Sequence, residues 1–128
     1  MIIVDSTVLI DYLRTVDPNL LATMQKHGAA ICGVTRAEVL TGARGPKHRR
    51  DLIQILDGFQ QVSFPASLWD QVGDNLALLR GAGVTVPFVD AVIATLGITL
   101  DVEIWARDRH FKDMQKVLPG LKLFPEPP

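Results

Sequence analysis

The chain has 128 residues, of which 48% are hydrophobic and 21% charged, so it is long enough for one globular domain with a substantial core. A formal net charge of −1 excludes a protein that coats nucleic acid through overall positive charge, and no apolar stretch approaches the roughly 20 residues of a membrane span. The start of the chain lacks the basic region of a secretory signal, so we expect a cytoplasmic protein built as a single domain over residues 1–128.

The first half of the chain is predicted to alternate strands and helices. A short apolar run ends at Asp5, after which the apolar residues take helical spacing. Asp17-Pro18 is typical of an N-cap followed by proline in the first helical position, and Gly28 is a typical stop. In chain order, the predicted elements are a strand over 2–4, helices over 8–13 and 18–28, a strand over 29–32, and helices over 35–41 and 46–57.

The second half continues the same alternation. Pro65 separates a predicted strand from a long helix, and Gly81 and Gly83 end that helix. In chain order, the predicted elements are a strand over 61–64, helices over 66–81 and 88–97, a strand over 102–106, a helix over 110–116, a strand over 122–124 and a proline-rich tail over 125–128.

Strands that alternate with helices indicate an α/β protein with a mostly parallel five-stranded sheet and helices on both faces. In such sheets the ligand site lies at the carboxyl ends of the strands, where the chain order reverses. Asp5 ends the first strand and Asp108 the fourth, while Glu38 and Asp90 are predicted in the first turns of helices. All four carboxylates are therefore expected at one edge of the sheet.

Two of these acids also have an ordinary structural explanation. Glu38 follows Thr35 by three residues, which is the spacing of a capping box. Asp90 near a helix N-terminus is favourable against the helix dipole without any further role. Asp5 and Asp108 are harder to explain in this way, because acids at the ends of buried parallel strands point to the crevice that binds ligands.

Four carboxylates in one place would repel each other and raise each other's pKa unless a cation neutralises them. Mg²⁺ or Mn²⁺ is the natural choice, since these hard cations take oxygen ligands and are commonly completed by substrate phosphates. The pattern therefore predicts a metal site that acts on phosphodiester substrates.

Four short blocks of the sequence, in this order and spacing, resemble the signature of VapC-type PIN-domain ribonucleases. Together they span nearly the whole chain. The blocks are Val4-Asp5-Ser6-Thr7-Val8-Leu9-Ile10-Asp11, Arg36-Ala37-Glu38-Val39-Leu40-Thr41-Gly42, Asp90-Ala91-Val92-Ile93-Ala94 and Arg107-Asp108-Arg109-His110-Phe111.

The resemblance implies a PIN-like three-layer sandwich and a Mg²⁺- or Mn²⁺-dependent endoribonuclease that is the toxin of a toxin–antitoxin pair. It implies Asp5 and Asp90 as principal metal ligands, Asp108 as a further ligand, direct or through water, and Glu38 as the residue that closes the acidic pocket. Ser6 matches a hydroxyl position that would orient Asp5 or a water molecule. The implied partners are RNA as substrate, a cognate VapB-like antitoxin and a second copy of the chain, with no membrane.

The chain departs from the family pattern close to the last acid. Ala106 stands where the family often has threonine or serine, so one hydroxyl that would orient Asp108 is missing. Trp105 stands where a smaller aliphatic residue is usual, and both Trp105 and Phe111 are interpreted as core aromatics. Cys32, the only cysteine, is interpreted as a small buried hydrophobe.

A basic segment between Arg36 and Arg50 holds five arginines and lysines and only one acid, Glu38. It fits both a solvated helix face and a phosphate-binding surface.

Two other functions also fit an acid after the first strand. An aspartyl-phosphate phosphatase or phosphotransferase would need a second acid close to Asp5, but Ser6 and Thr7 follow it. A non-catalytic PIN-like domain that binds RNA or a partner would have lost its metal. The four retained acids argue against this second alternative, whereas Ala106 leaves it open.

Overall fold

A computed structural model describes residues 1–126, which form five strands and seven α-helices. The strands are β1 (Ile2–Val4), β2 (Ala29–Cys32), β3 (Gln60–Val62), β4 (Glu103–Trp105) and β5 (Lys122–Leu123). The helices are α1 (Ser6–Thr15), α2 (Pro18–His27), α3 (Gly33–Leu40), α4 (Pro46–Asp57), α5 (Trp69–Gly81), α6 (Phe88–Leu100) and α7 (Arg109–Val117), with a 3₁₀ turn over Ala66–Leu68 before α5.

The strands form one sheet in the order β3-β2-β1-β4-β5, and every neighbouring pair is parallel. The chain order reverses between β1 and β4, which is where open α/β sheets place their ligand sites. The backbone N–H of Asp5 donates to the carbonyl of Trp105 at 2.9 Å, so the β1–β4 pairing extends one residue beyond the strand ends. The predicted α/β class is confirmed, and the sheet is wholly parallel.

The sheet separates two hydrophobic clusters, because successive side chains of a strand point to opposite faces. Ile3 and Ile104 pack with apolar residues of α5, α6 and α7. Val4 and Trp105 pack with apolar residues of α1, α2 and α4. Helices therefore cover both faces and make the three layers that the sequence predicts. Phe111 and Cys32 are buried in the first cluster, as predicted for core residues.

Several helix boundaries differ from the sequence prediction by a few residues, and two of the differences, in α3 and α6, bear on the site and the core. Helix α3 begins at Gly33 rather than at residue 35, with Cys32 as its N-cap. Helix α6 does not stop at Gly97 but continues to Leu100. Gly97 allows α6 to pack closely against β4 instead of ending the helix, because a Cβ atom there would lie 2.5 Å from the Cδ1 of Ile104. The helix ends only at Asp101, which takes a left-handed conformation with φ of 56°.

The predicted N-cap at Asp17 and the stop at Gly28 are both confirmed, and α4 has its predicted bounds. Residues 127–128 of the predicted proline-rich tail lie outside the described residues. Over residues 1–126, no helix has both the length and the apolar character that a membrane span requires.

Candidate metal centre

Asp5, Asp90 and Asp108 all lie after a strand or at the start of a helix, the kind of position that the sequence predicts for them. Asp5 directly follows β1 and is the N-cap of α1, and Asp90 lies in the first turn of α6. Asp108 follows the neighbouring strand β4 by three residues and caps α7, so it does not itself end the strand as predicted. Glu38 lies in the second turn of α3 rather than the first, because that helix begins two residues earlier than expected.

Asp5 is almost fully buried, at 2% exposure, and its two carboxylate oxygens have different surroundings. The Oδ2 atom accepts hydrogen bonds from the Thr7 hydroxyl at 2.8 Å and from the Thr7 backbone N–H at 3.3 Å. The Oδ1 atom is buried and has no hydrogen-bond partner among residues 1–126. An unpaired buried carboxylate oxygen is costly, so Oδ1 is available for a cation.

Thr7 is a site residue that the sequence analysis did not single out. Its hydroxyl donates to Asp5 and accepts a hydrogen bond from the backbone N–H of Arg107 at 3.1 Å. Thr7 therefore links the Asp5 carboxylate to the segment that follows β4 and fixes which oxygen remains free. The hydroxyl of Ser6, which the resemblance implies to orient Asp5 or a water molecule, donates to Oε1 of Glu38 at 3.2 Å.

The capping-box explanation of Glu38 is wrong. Cys32 caps α3 without a side-chain hydrogen bond, and Thr35 is a buried residue inside the helix whose hydroxyl lies 3.8 Å from the Cys32 sulfur. Glu38 is held by Ser6, directly beside Asp5 in sequence, so its carboxylate lies on the site side of α3.

Asp90, Asp108 and His110 form a compact cluster. Each offers one ligand atom, and these atoms lie within 4.8 Å of one another. The His110 Nδ1 atom is 3.0 Å from the Asp90 Oδ2 and 2.8 Å from the Asp108 Oδ1. The backbone N–H of His110 also donates to Asp108 Oδ1 at 2.8 Å. His110 therefore orients Asp108 in place of the hydroxyl that Ala106 lacks.

His110 belongs to the last of the sequence blocks, but no role was assigned to it. The sequence does show that His110 follows Asp108 by two residues. Because Asp108 caps α7, this spacing places His110 in the first turn of the helix, at the same end as the acid. Its contact with Asp90, 20 residues earlier, depends on how α6 and α7 pack.

Three of the acids have raised pKa values. Burial first, and then the charges of Asp5 and Asp108, raise the pKa of Asp90 to about 6, although His110 lowers it in part. Burial also raises the pKa of Asp5 above its ordinary value, and the charge of Asp108 contributes. Glu38 has a raised pKa for the same reasons, burial first and then the charge of Asp5.

This donor set fits a hard divalent cation. Carboxylate oxygens are the ligands that Mg²⁺ and Mn²⁺ prefer, and a cation reverses the repulsion that raises these pKa values. The free Oδ1 of Asp5 is the clearest sign of fit, since it is a buried acceptor that protein groups leave unpaired. His110 adds an imidazole nitrogen at the same cluster, which Mn²⁺ accepts more readily than Mg²⁺ does.

Comparison with known proteins identifies the fold and the family. Residues 2–117 match the PIN domain family. A comparison with curated protein sequences finds no matching relative.

Among solved structures, the chain resembles VapBC2 from Rickettsia felis bound to a DNA fragment from their promoter, with 18% identity, a TM-score of 0.79, and coverage of 97% of this chain and 98% of that chain. It resembles DNA-bound VapBC from Salmonella typhimurium with 14% identity, a TM-score of 0.79 and 96% coverage of both chains. A toxin–antitoxin complex from Klebsiella pneumoniae is similar at 19% identity, with a TM-score of 0.68 and coverage of 94% and 95%. At these identities the likeness concerns the fold, whereas the family match covers most of the sequence, and the chain therefore belongs to the PIN domain family.

Proposed function

We propose that this protein is a Mg²⁺- or Mn²⁺-dependent endoribonuclease that hydrolyses phosphodiester bonds in RNA and acts in the cytoplasm as the toxin of a toxin–antitoxin pair. The observation that carries the proposal is the buried, unpaired Oδ1 of Asp5. The charge of Asp108 contributes to the raised pKa of Asp5, and the charges of Asp5 and Asp108 contribute to that of Asp90, so these carboxylates lie close together. Membership of the PIN domain family supports a nuclease.

In this proposal Asp5 and Asp90 hold the ion, with Asp108 as a further ligand, direct or through water, and Glu38 closing the acidic pocket. When bound, the ion would lower the pKa of a water molecule and polarise the phosphoryl oxygen. The chain itself supplies the orientation. Thr7 fixes one oxygen of Asp5, and the Asp5 backbone is anchored on β4. Such supporting contacts commonly change metal affinity or activity by about 10- to 100-fold when they are removed.

The test is cleavage of a structured RNA that contains single-stranded loops, with Mg²⁺ or Mn²⁺ and with a chelator. We expect cleavage by the wild type only with the metal, and none by Asp5→Asn or Asp90→Asn, because the amides keep the shape but lose the charge. Asp74→Asn, which removes an exposed carboxylate from α5, is the matched control and should cleave normally. Cleavage by Asp5→Asn at the wild-type rate with the metal present would overturn the proposal.

The two alternative functions make different predictions. A non-catalytic PIN-like domain should show no rise in melting temperature at millimolar Mg²⁺ or Mn²⁺, whereas a ligand that binds only the folded state must raise it. An aspartyl-phosphate enzyme would need a second acid where Thr7 stands, yet the Thr7 hydroxyl serves to hold Asp5. The unpaired Oδ1 of Asp5 favours the nuclease over both.

The proposed antitoxin is a VapB-like protein that directs a basic side chain at the acidic pocket. An arginine guanidinium can pair with carboxylates through two parallel hydrogen bonds, so it would compete with the metal for Asp5 and Asp90. By linkage, Mg²⁺ and the antitoxin should weaken each other's binding by the same factor. Calorimetry with the co-expressed product of the neighbouring gene, at constant ionic strength, tests this. An affinity that does not change with Mg²⁺ would show that the antitoxin binds elsewhere.

The proposed homodimer rests on apolar side chains that the described fold leaves exposed on α5 and α6. Trp69, Leu78 and Phe88 are 48%, 58% and 57% exposed. Apolar side chains left exposed beyond what one small sheet can cover are consistent with an interface between subunits. Sedimentation at tens of micromolar protein should give a dimer, and a monomer under these conditions would contradict the proposal.

A further inference from the structure

Four of the 13 lysines and arginines of the chain fall within residues 44–50, although the chain as a whole carries a net charge of −1. The loop after α3 and the first turns of α4 carry four exposed basic residues, which we name the basic surface. They are Arg44, Lys47, Arg49 and Arg50.

Most of this charge is not used within the described protein. Lys47 pairs with Asp51 at 3.1 Å, which is a pair of exposed side chains and contributes little. Arg44, Arg49 and Arg50 make no salt bridge with any of residues 1–126. The three guanidinium groups therefore remain available to an anionic partner.

Folding stability does not explain this placement. The first turn of α4 contains no acid, and its N-cap, Gly45, has no side chain to accept a hydrogen bond. Positive charges at a helix N-terminus are unfavourable against the helix dipole. The starts of other helices are acidic, since Asp17 and Asp108 cap α2 and α7 and Asp70 lies in the first turn of α5. The basic residues at the start of α4 therefore destabilise the folded protein, whereas the acids at the starts of α2, α5 and α7 stabilise it.

The backbone under the basic surface is held in place. The N–H of Arg44 donates to Nδ1 of His48 at 2.9 Å, and the N–H of Arg49 donates to the carbonyl of Gly45 at 2.9 Å. Arg49 and Arg50 line a shallow hollow together with Ala43, Gly45 and Pro46, none of which has a bulky side chain. A chain of phosphates can therefore approach both arginines closely.

The basic surface lies near the acidic site because both are connected through α3. Arg44 follows Glu38 by six positions in the chain, so their Cα atoms are at most about 21 Å apart. The segment between them folds back in turns, with the Thr41 hydroxyl bonded to the Glu38 carbonyl at 2.6 Å. A stacked single strand covers this distance in about six nucleotides at roughly 3.4 Å each.

The chemistry of the surface favours a nucleic acid over a protein partner. Protein interfaces have an apolar core, whereas nucleic-acid interfaces are polar and strongly positive. None of the exposed large hydrophobic side chains of residues 1–126 falls within 41–50. Arginine also matches the geometry of phosphate oxygens through two parallel hydrogen bonds.

We propose that the basic surface binds the phosphate backbone of single-stranded RNA on one side of the phosphodiester bond that the acidic site cleaves. This rests on the proposed function and adds to it the path of the substrate. The contacts are to phosphates, so they set affinity and position and do not read the base sequence.

The experiment measures binding of a 5′-labelled single-stranded RNA of about 20 nucleotides by fluorescence anisotropy, in chelator and over a range of salt concentrations. The test variant is Arg44→Gln/Arg49→Gln/Arg50→Gln. Each lost phosphate contact should lower the slope of log affinity against log salt by about 0.7, so the triple variant should lose about 2. The control variant is Arg14→Gln/Lys26→Gln/Arg80→Gln, which removes the same charge from other helices and should keep the wild-type slope.

Cleavage kinetics supply the second readout. With long RNA the test variant should have a higher KM at nearly unchanged kcat. With a dinucleoside monophosphate, whose only phosphate is the one that is cleaved, wild type and variant should be cleaved alike. An equal loss of slope in test and control variants would show that only net charge matters and would overturn the proposal. Polyglutamate of equal charge should bind weakly, and a test variant that loses polyglutamate binding but retains RNA binding would assign the surface to an acidic protein instead.

RNA binding is measured in chelator, where no cleavage takes place, so the experiment tests the basic surface separately from the nuclease activity. A wild type that cleaves RNA while the test variant keeps the full salt slope refutes the basic surface alone. A wild type that binds RNA with the expected slope but never cleaves it refutes the nuclease and leaves the surface intact.

Discussion

Replacement of Asp90 by asparagine should stabilise the metal-free protein at neutral pH. Burial and the neighbouring charges raise the pKa of Asp90 from 3.8 to about 6. At about 1.4 kcal/mol per pH unit, ionisation of this carboxyl costs the folded state about 3 kcal/mol once the pH exceeds both values. Below the unfolded pKa of 3.8 the group is protonated in both states and costs nothing. The wild type therefore loses this stability as the pH rises from the unfolded pKa of 3.8 to the folded pKa of about 6, and the asparagine variant does not.

The assay is urea unfolding in chelator at constant ionic strength, from about pH 4 to about pH 7.5. The free energy of unfolding of Asp90→Asn, relative to wild type, should rise by about 2.4 kcal/mol over this interval, because about 0.5 kcal/mol of the total is already present at pH 4. The amide oxygen can still accept a hydrogen bond from His110, and Asp74→Asn on α5 controls for the removal of one carboxylate. With saturating Mg²⁺ or Mn²⁺ the order should reverse, because only the wild type is stabilised by binding the ion. A difference between variant and wild type that is the same at every pH would refute the reasoning.

Two other substitutions test how the site and the core are built. Thr7→Val should lower the affinity for Mn²⁺ by about 10- to 100-fold in calorimetry while the fold is retained, because it removes the hydroxyl that holds one oxygen of Asp5. Thr7→Ser keeps a hydroxyl and should bind Mn²⁺ like the wild type. An unchanged affinity in Thr7→Val would contradict the role of Thr7. Gly97→Ala should cost about 1–3 kcal/mol in urea unfolding, because its Cβ would meet Ile104 on β4. Gly73→Ala on α5, where a Cβ has no neighbour within 4 Å, should instead gain up to about 1 kcal/mol, and equal effects at the two glycines would show that helix propensity alone matters.

Much of the fold could be predicted from sequence because local signals agree with the tertiary structure. Asp17-Pro18 begins α2 and Gly28 ends it, since capping depends on residues next to each other in the chain. Gly97 shows where this fails. A glycine in a helical pattern signals either an end or a close approach, and only the position of Ile104 on β4 decides between them.

The sequence likewise predicts some features of the candidate site and not others. The positions of Asp5, Asp90 and Asp108 follow from strand ends and helix starts in a parallel sheet, which sequence patterns show. The groups that orient them do not follow from local patterns. Thr7 contacts the backbone of a residue 100 positions later, and His110 reaches an acid 20 positions earlier, so both roles exist only once the helices have packed.

Two regions of this chain, the acidic site and the start of α4, hold charges whose placement destabilises the folded protein. The two regions have opposite charge. The acidic site brings together carboxylates whose pKa values are raised by burial and by neighbouring acids. The start of α4 places Lys47 and Arg49 where the helix dipole disfavours positive charge. Local conflicts with folding rules are expected where function requires them. A divalent cation would relieve the first conflict and a phosphate backbone the second. The proposed metal-dependent nuclease would account for both, because its cofactor would bring positive charge to the acidic site and its polyanionic substrate would bring negative charge to the basic surface.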